Sequence, residues 1–257
     1  MLKTEKPALA AAISVVISVI NKSAKVPIMQ NICIERDGDE LVLRGGNGDM
    51  EITSRLNVIF DDAFEDITLP AHLLEDAVRR MPDGAELRLD RVDGAAQKLE
   101  HINIRAGRAR VKLPVLPASD FPKLDAGALP HRLSLTAPHL AKAIKAVLPA
   151  VCDNQSRYYL AGVLLQPSGE GMRVVATDGR RLSVRFLAAA EFDQADTLAK
   201  VPPVIVPTKV VERAIRVMDG QEDVTLDMSD QKIRVTAGRT VMTGKLVEGT
   251  YPDVARI

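Results

Sequence analysis

Five cations on two short segments are the residues whose types and spacing best suit a chemical task. Lys209, Arg213 and Arg216 recur at i, i+4 and i+7, and Lys142 and Lys145 stand in a stretch, Pro138 to Leu148, that holds no acidic residue. On a helix the first three stack along one stripe. The second pair projects opposite the apolar Leu140, Ile144, Val147 and Leu148. Such stripes suit a row of phosphates held by screened, sequence-independent attraction. A solvated helix face has the same pattern, and spacing alone does not separate the two.

The catalytic motifs fail one by one. Gly46-Asn47-Gly48 opens like a dinucleotide fingerprint, but Glu51 stands where the third glycine belongs. Gly238 to Gly244-Lys245 is one residue too long for a phosphate loop, and Leu246 replaces the hydroxyl that would hold magnesium. His72, His101, His131 and His139 form no metal pair at helical spacing and have no nucleophile beside them. The acidic pairs Asp37/Asp39 and Asp61/Asp62 fall in turn-like segments, where solvation is the ordinary reading. Cys33 and Cys152 match no zinc spacing and read as buried, reduced thiols, with a disulfide or a catalytic thiol as alternatives. The expectation is a non-catalytic protein with no metal and no cofactor.

Composition narrows the partners. Hydrophobic residues make up 46% of 257, enough for a sizeable core, while aromatics are 3% and tryptophan is absent. That argues against a broad stacking platform for single strands. The 34 basic and 34 acidic side chains balance, which argues against an indiscriminate basic coat on DNA and leaves room for a local basic surface. Lys3 and Lys6 before the apolar run Ala8 to Ile20 imitate a signal peptide. Glu5 and Pro7 interrupt it, no A-x-A site follows, and the run is too short to span a bilayer. An amphipathic helix in a cytosolic protein and no membrane partner are expected.

The elements that would position the cations occur twice. Ile67–Met81 (ITLPAHLLEDAVRRM) matches Val204–Met218 (VIVPTKVVERAIRVM), and Ile102–Arg108 matches Ile233–Arg239. Phe121-Pro122 answers Tyr251-Pro252, and Asn47-Gly48 answers Asp178-Gly179. All these pairs keep one order and offsets of 130 to 137 residues, the mark of a duplicated unit. Each copy reads as a helix (7–20 and 137–148), alternating strands, a second helix starting at a proline (70–81 and 207–218), and more strands. The fold class is therefore α+β: two tandem copies of one module, each with two helices packed on β-sheet, over 1–129 and 130–257 with the boundary near Pro130.

Several segments carry a family resemblance. Ala176–Leu182, Ser156–Leu160, Val204–Pro207 and Lys245–Asp253 resemble the middle module of the bacterial beta sliding clamp, the DNA polymerase III beta subunit. Val26–Ile28 and Leu116–Pro122 resemble its first module. The resemblance implies a DNA-clamp fold and a DNA replication processivity factor: a self-associated ring around duplex DNA with helices lining the hole. Lys142, Lys145, Lys209, Arg213 and Arg216 then become inner-surface candidates, joined by Lys22, Lys25, Arg157, Tyr158 and Tyr159 from segments that touch DNA in the family. For the tyrosine pair, core packing is the other reading.

The family also binds short linear peptides of polymerase and clamp-loader subunits in an apolar pocket. The matching positions are Leu160, Thr177, Gly179, Arg180, Arg181, Leu182, Pro252, Arg256 and Ile257, with Arg180 departing from the residue type expected there. The family's third module has no counterpart in this sequence. The sequence is either a piece of a longer chain or a naturally short homologue. For a natural short form three two-module chains could make a six-module ring, and an open peptide-binding adaptor or decoy without a ring is the other form the resemblance leaves open.

Overall fold

In the computed structural model, residues 1–61, 64–92 and 100–253 are described. The chain divides into two compact units, Met1–Leu124 and Asp125–Ile257.

Unit 1 contains α1 (Lys6–Val16), α2 (Ala71–Arg80) and ten strands. These are β1 (Leu2–Glu5), β2 (Asn31–Asp37), β3 (Glu40–Gly46), β4 (Met50–Asn57), β5 (Ile59–Phe60), β6 (Ile67–Pro70), β7 (Glu86–Arg91), β8 (His101–Ala106), β9 (Ala109–Pro114) and β10 (Leu116–Pro117). They pair antiparallel in the orders β5-β1-β7-β8-β9 and β10-β6-β2-β3-β4.

Unit 2 contains α3 (Ala137–Val147), α4 (Thr208–Met218) and eight strands. These are β11 (His131–Thr136), β12 (Gly162–Ser168), β13 (Gly171–Thr177), β14 (Leu182–Ala188), β15 (Val204–Pro207), β16 (Asp223–Met228), β17 (Lys232–Ala237) and β18 (Thr240–Lys245). Their antiparallel orders are β11-β16-β17-β18 and β15-β12-β13-β14. The run β6-β2-β3-β4 of unit 1 thus repeats as β15-β12-β13-β14, and β1-β7-β8-β9 repeats as β11-β16-β17-β18.

Each helix buries one stripe and leaves the other wet. In α4 the stripe is Val210, Val211, Ala214, Val217 and Met218; in α3 it is Leu140, Ala143, Ile144 and Val147. α3 and α4 pack on each other and on the strands beneath, as α1 and α2 do in unit 1. Burying each valine or leucine contributes roughly 1.5–3 kcal/mol. An apolar void of about 20 Å³ lies between α3, α4 and the strands, room for about one water-sized probe. Close approach explains two glycines: a Cβ on Gly45 would lie 2.8 Å from Val16 of α1, and one on Gly244 would lie 2.7 Å from Val210 of α4. Gly244 therefore serves packing, in a strand, and not a phosphate loop.

Three local expectations are corrected. Pro70 and Pro207 end strands β6 and β15 and cap the helices from outside, with ψ of 115° and 144°, so neither is the first helical residue. The first helix is α-helical only to Val16 and tightens to a 3₁₀ turn over Ile17–Val19. Asp37 is not merely solvated but pairs with Arg55 at 2.7 Å. The fingerprint-like Gly46-Asn47-Gly48 is the β3–β4 turn, in which Asn47 accepts the N–H groups of Asp49 and Met50.

Candidate functional site

The wet faces of α3 and α4 hold the five cations. Lys142, Lys145, Lys209 and Arg216 are exposed, and Arg213 is half-buried with its Nε enclosed. None of the five forms an ion pair with a described residue, and the four exposed ones face solvent unneutralised. The equivalent turn of α2 behaves otherwise: Arg79 is held by Asp76 at 2.5 Å. Lys22 and Lys25 are exposed in the loop after the first helix. Lys22 lies near enough to His72 on α2 that its charge adds to burial in lowering the His72 pKa.

A second cluster lies in unit 2, where the 3₁₀ segment Gln155–Leu160, the β13–β14 turn and the segment around Tyr251 meet. Leu160 is buried with Cys152, Leu164, Val175, Ile205 and Tyr251, and Tyr159, Val184 and Val247 pack against them. The Tyr251 hydroxyl accepts the Thr177 N–H at 3.0 Å, and burial raises its pKa. The Thr177 hydroxyl donates to the Arg181 carbonyl at 2.7 Å and accepts the Gly179 N–H at 3.1 Å. Asp178 accepts the N–H groups of Arg180 and Arg181 and pairs with the Arg181 guanidinium at 2.9 Å. Those backbone donors, then the Arg181 charge, hold its carboxyl below the usual range.

Gly179 turns this loop at φ +86°, and a Cβ there would meet the Arg157 guanidinium at 2.9 Å. Arg157 itself donates to the Asp178 carbonyl at 3.3 Å. The result is an apolar floor under a turn whose Arg180, Arg181 and Leu182 are exposed, with Pro252 half-buried alongside. The structure therefore brings Leu160, Thr177, Gly179, Arg180, Arg181 and Leu182 together. Arg256 and Ile257 lie outside the described residues.

The tyrosine pair divides between its two readings. Tyr158 is 58% exposed while Tyr159 packs on the apolar cluster, their rings edge-to-face at 5.7 Å. Arg157 is exposed beside them. Cys33 is buried, and burial with the nearby Glu35 carboxylate pushes its thiol up to about 12, which keeps it protonated and inert at neutral pH. Among the described residues no group of three or more His, Cys, Asp or Glu could hold a metal ion, and no helix is long and apolar enough to cross a membrane.

Residues 1–125 match the family described as DNA polymerase III beta subunit, N-terminal domain, and residues 134–253 match its central domain. The beta sliding clamp of Caulobacter vibrioides is 36% identical over 261 residues, covering 100% of this chain and 68% of that protein. The chain belongs to the beta sliding clamp family.

The clamp of Escherichia coli is 31% identical over 233 residues, covering 90% of the chain and 60% of that protein. Among solved clamps, that of Caulobacter crescentus superposes with a TM-score of 0.89 at 34% identity, over 99% of this chain and 66% of that one. The Bartonella birtlesii clamp, solved bound to griselimycin, gives 0.89 at 31% identity, over 99% and 67%. The chain thus spans about two thirds of the length of these clamps, in two of the family's domains.

Sequence reasoning missed Asp178 and Tyr251 as organisers of the second cluster. Tyr251 was visible only as the partner of Phe121 in the repeat. Nothing in its neighbours shows that its hydroxyl would cap a strand N–H 74 residues away.

Proposed function

We propose that the chain acts as a DNA sliding clamp, a non-catalytic processivity factor that encircles duplex DNA. The observation that carries the reading is the layer formed by α3 and α4, whose five cations have no acidic partner among the described residues. Cations left unneutralised on packed, rigid helices present a standing field that exchanges phosphates without gripping any one of them. Such contacts centre a duplex and let it slide, because each is screened and none reads a base. Lys22, Lys25, Arg157 and Tyr158 supply further contacts from loops. Encirclement calls for self-association into a ring; should two modules be the whole protein, three copies would close a six-module ring. The cytoplasm, where the chromosome is copied, is the setting of this activity.

The second cluster is read as the peptide site for polymerase and clamp-loader subunits. The apolar floor at Leu160 and the exposed Leu182 take leucine and aromatic anchors, while Arg180, Arg181 and Pro252 form the rim. Arg256 and Ile257 are assigned to the same site from the resemblance.

Duplex affinity measured against salt tests the DNA face. Log K is expected to fall with log salt at a slope near −0.9 for each phosphate engaged, for about four contacts, and equally on unrelated sequences. A slope near zero, or a strong sequence preference, contradicts the reading. Light scattering at micromolar concentration tests that three-copy ring: a trimer or larger closed species is its expected outcome, and a strict monomer contradicts it.

A further inference from the structure

We propose that a groove on unit 1 is a docking site for a basic segment of a partner protein, which lays an apolar side chain in the groove and sets lysine or arginine at its mouth. The groove has a volume of about 750 Å³ and lies where β2, β6 and the segment 115–123 meet. That is the end of the β10-β6-β2-β3-β4 run opposite β4.

The floor is apolar. Ile67, Val115 and Phe121 line it, and all three are buried. Pro117 and Ala118 line it from β10 and the 3₁₀ turn that follows, and Glu65 and Asp66 from the segment before β6. The mouth is open, with Glu65, Asp66, Pro117 and Ser119 exposed. A small molecule is ordinarily enclosed over most of its surface. A groove this open suits a chain that inserts one side chain and leaves the rest outside. β10 is two residues long and ends in Pro117, so it offers little to an added strand. The occupant is therefore held by its side chains.

Charge selects the occupant. Three carboxylates, Glu35, Glu65 and Asp66, line the groove against one cation, Lys123. Lys123 and Arg44 both pair with Glu35 and neutralise it. Asp66 accepts the backbone N–H of Arg36 at 2.9 Å, a neutral donor that leaves the carboxylate charge at the mouth. A duplex is disfavoured there, because its phosphates would meet like charge.

Unit 2 shows that the fold does not require these carboxylates. In the repeat that aligns Ile67 with Val204 and Phe121 with Tyr251, Pro202 and Pro203 take the places of Glu65 and Asp66, and Asp253 that of Lys123. Gln166 of β12 stands where β2 has Glu35. The apolar floor recurs in both copies, while the acidic mouth belongs to unit 1. The groove shares no residue with the cation layer or with the cluster at Leu160, and it takes a partner of the opposite charge.

The test uses the whole chain and the synthetic peptide Gly-Arg-Leu-Arg-Gly, followed by the methyl signals of Ile67 and Val115 in nuclear magnetic resonance. Both methyls should shift saturably at low salt. At the same methyls Gly-Glu-Leu-Glu-Gly should bind at least about tenfold more weakly, because like charges meet at the mouth. Asp66→Asn keeps an acceptor for the Arg36 N–H and should weaken the basic peptide about threefold, and Asp66→Lys about tenfold.

Equal binding of the two peptides at these methyls overturns the proposal. So does a basic peptide that shifts neither methyl at millimolar concentration. Arginine amide acting as strongly as the peptide assigns the groove to a small cation, and shifts that grow with protein concentration alone assign it to a second copy; either result also overturns it. A peptide seated on the cluster at Leu160 leaves the Ile67 and Val115 signals in place, so the two sites are judged separately.

Discussion

Helices α2 and α4 come from matching segments that follow a strand-ending proline and run to a matching methionine, yet one has balanced charges and the other an excess of cations. α2 carries Arg79 and Arg80 against Glu75 and Asp76, and its Arg79 is tied to Asp76. α4 carries Lys209, Arg213 and Arg216 against Glu212 alone, with no ion pair among the described residues. The buried stripes correspond at Leu74, Ala77 and Met81 in one and Val211, Ala214 and Met218 at the matching positions of the other, while buried Val78 is matched by the half-buried Ile215. Packing is thus preserved where the fold needs it, and surface charge differs where partners are met. A duplicated module can hold one core and divide its surfaces between tasks.

Six variants press on this contrast, and the largest effect is expected on DNA. Replacing Lys142, Lys145, Lys209 and Arg216 together by alanine should lower duplex affinity at low salt roughly a hundredfold and flatten the salt slope by about three to four. Replacing Arg79 and Arg80 should cost no more than about threefold. Equal losses in the two variants, read by fluorescence anisotropy, would erase the distinction between the modules.

The cores, by contrast, should respond alike. Gly45→Ala and Gly244→Ala each drive a methyl into a helix residue at less than 3.0 Å. Each should cost about 1–3 kcal/mol in urea unfolding, because overpacked sites force neighbours off their rotamers. A neutral substitution in one module only would show that its helix sits more loosely.

Unit 1 has a partly buried ion network at its sheet. Arg44 joins Glu35 at 3.0 Å and Glu51 at 2.5 Å, Lys123 joins Glu35 at 2.5 Å, and Glu51 accepts the Leu124 N–H at 2.9 Å. At Glu35 burial pushes the pKa upward, but the bonds and charges of Lys123 and Arg44 outweigh it and hold the carboxyl below 4.5. A depressed folded pKa gives stability that is full above the unfolded value and lost as pH falls through the folded one. Glu35→Gln should cost about 2 kcal/mol at pH 7. It should also remove part of the acid dependence expected in thermal melts as pH falls below 4.5. An unchanged acid limb would mean the network contributes no linkage.

The smallest change is Tyr251→Phe, which leaves the Thr177 N–H unpaired in a buried setting. About 1 kcal/mol of stability should be lost. Affinity for a leucine-anchored peptide should fall a few-fold as the β13–β14 turn loosens, and duplex affinity should stay unchanged.

The duplication, the α+β class and the four helices were legible because apolar periodicity and turn residues are local signals that survive divergence. The ends of the elements were less so. A proline at φ −56° or −54° fits the cap and the first helical position equally, and only ψ, set by the strand before it, decides. The 3₁₀ turn at Ile17–Val19 was hidden because the apolar run continues through it. The cations of α3 and α4 were legible as a stripe, but their lack of partners was not, since an ion pair depends on what folding brings alongside. The same limit concealed the Asp37–Arg55 pair and the role of Tyr251, whose partners are set by register across strands.

Retention on closed-circular against linearised duplex DNA, after a wash at high salt, tests the clamp reading most directly. The account predicts that chain loaded on circles survives the wash and is released when the same DNA is cut, because the tether is topological and its phosphate contacts are screened. Equal retention on both forms would show ordinary binding and contradict encirclement.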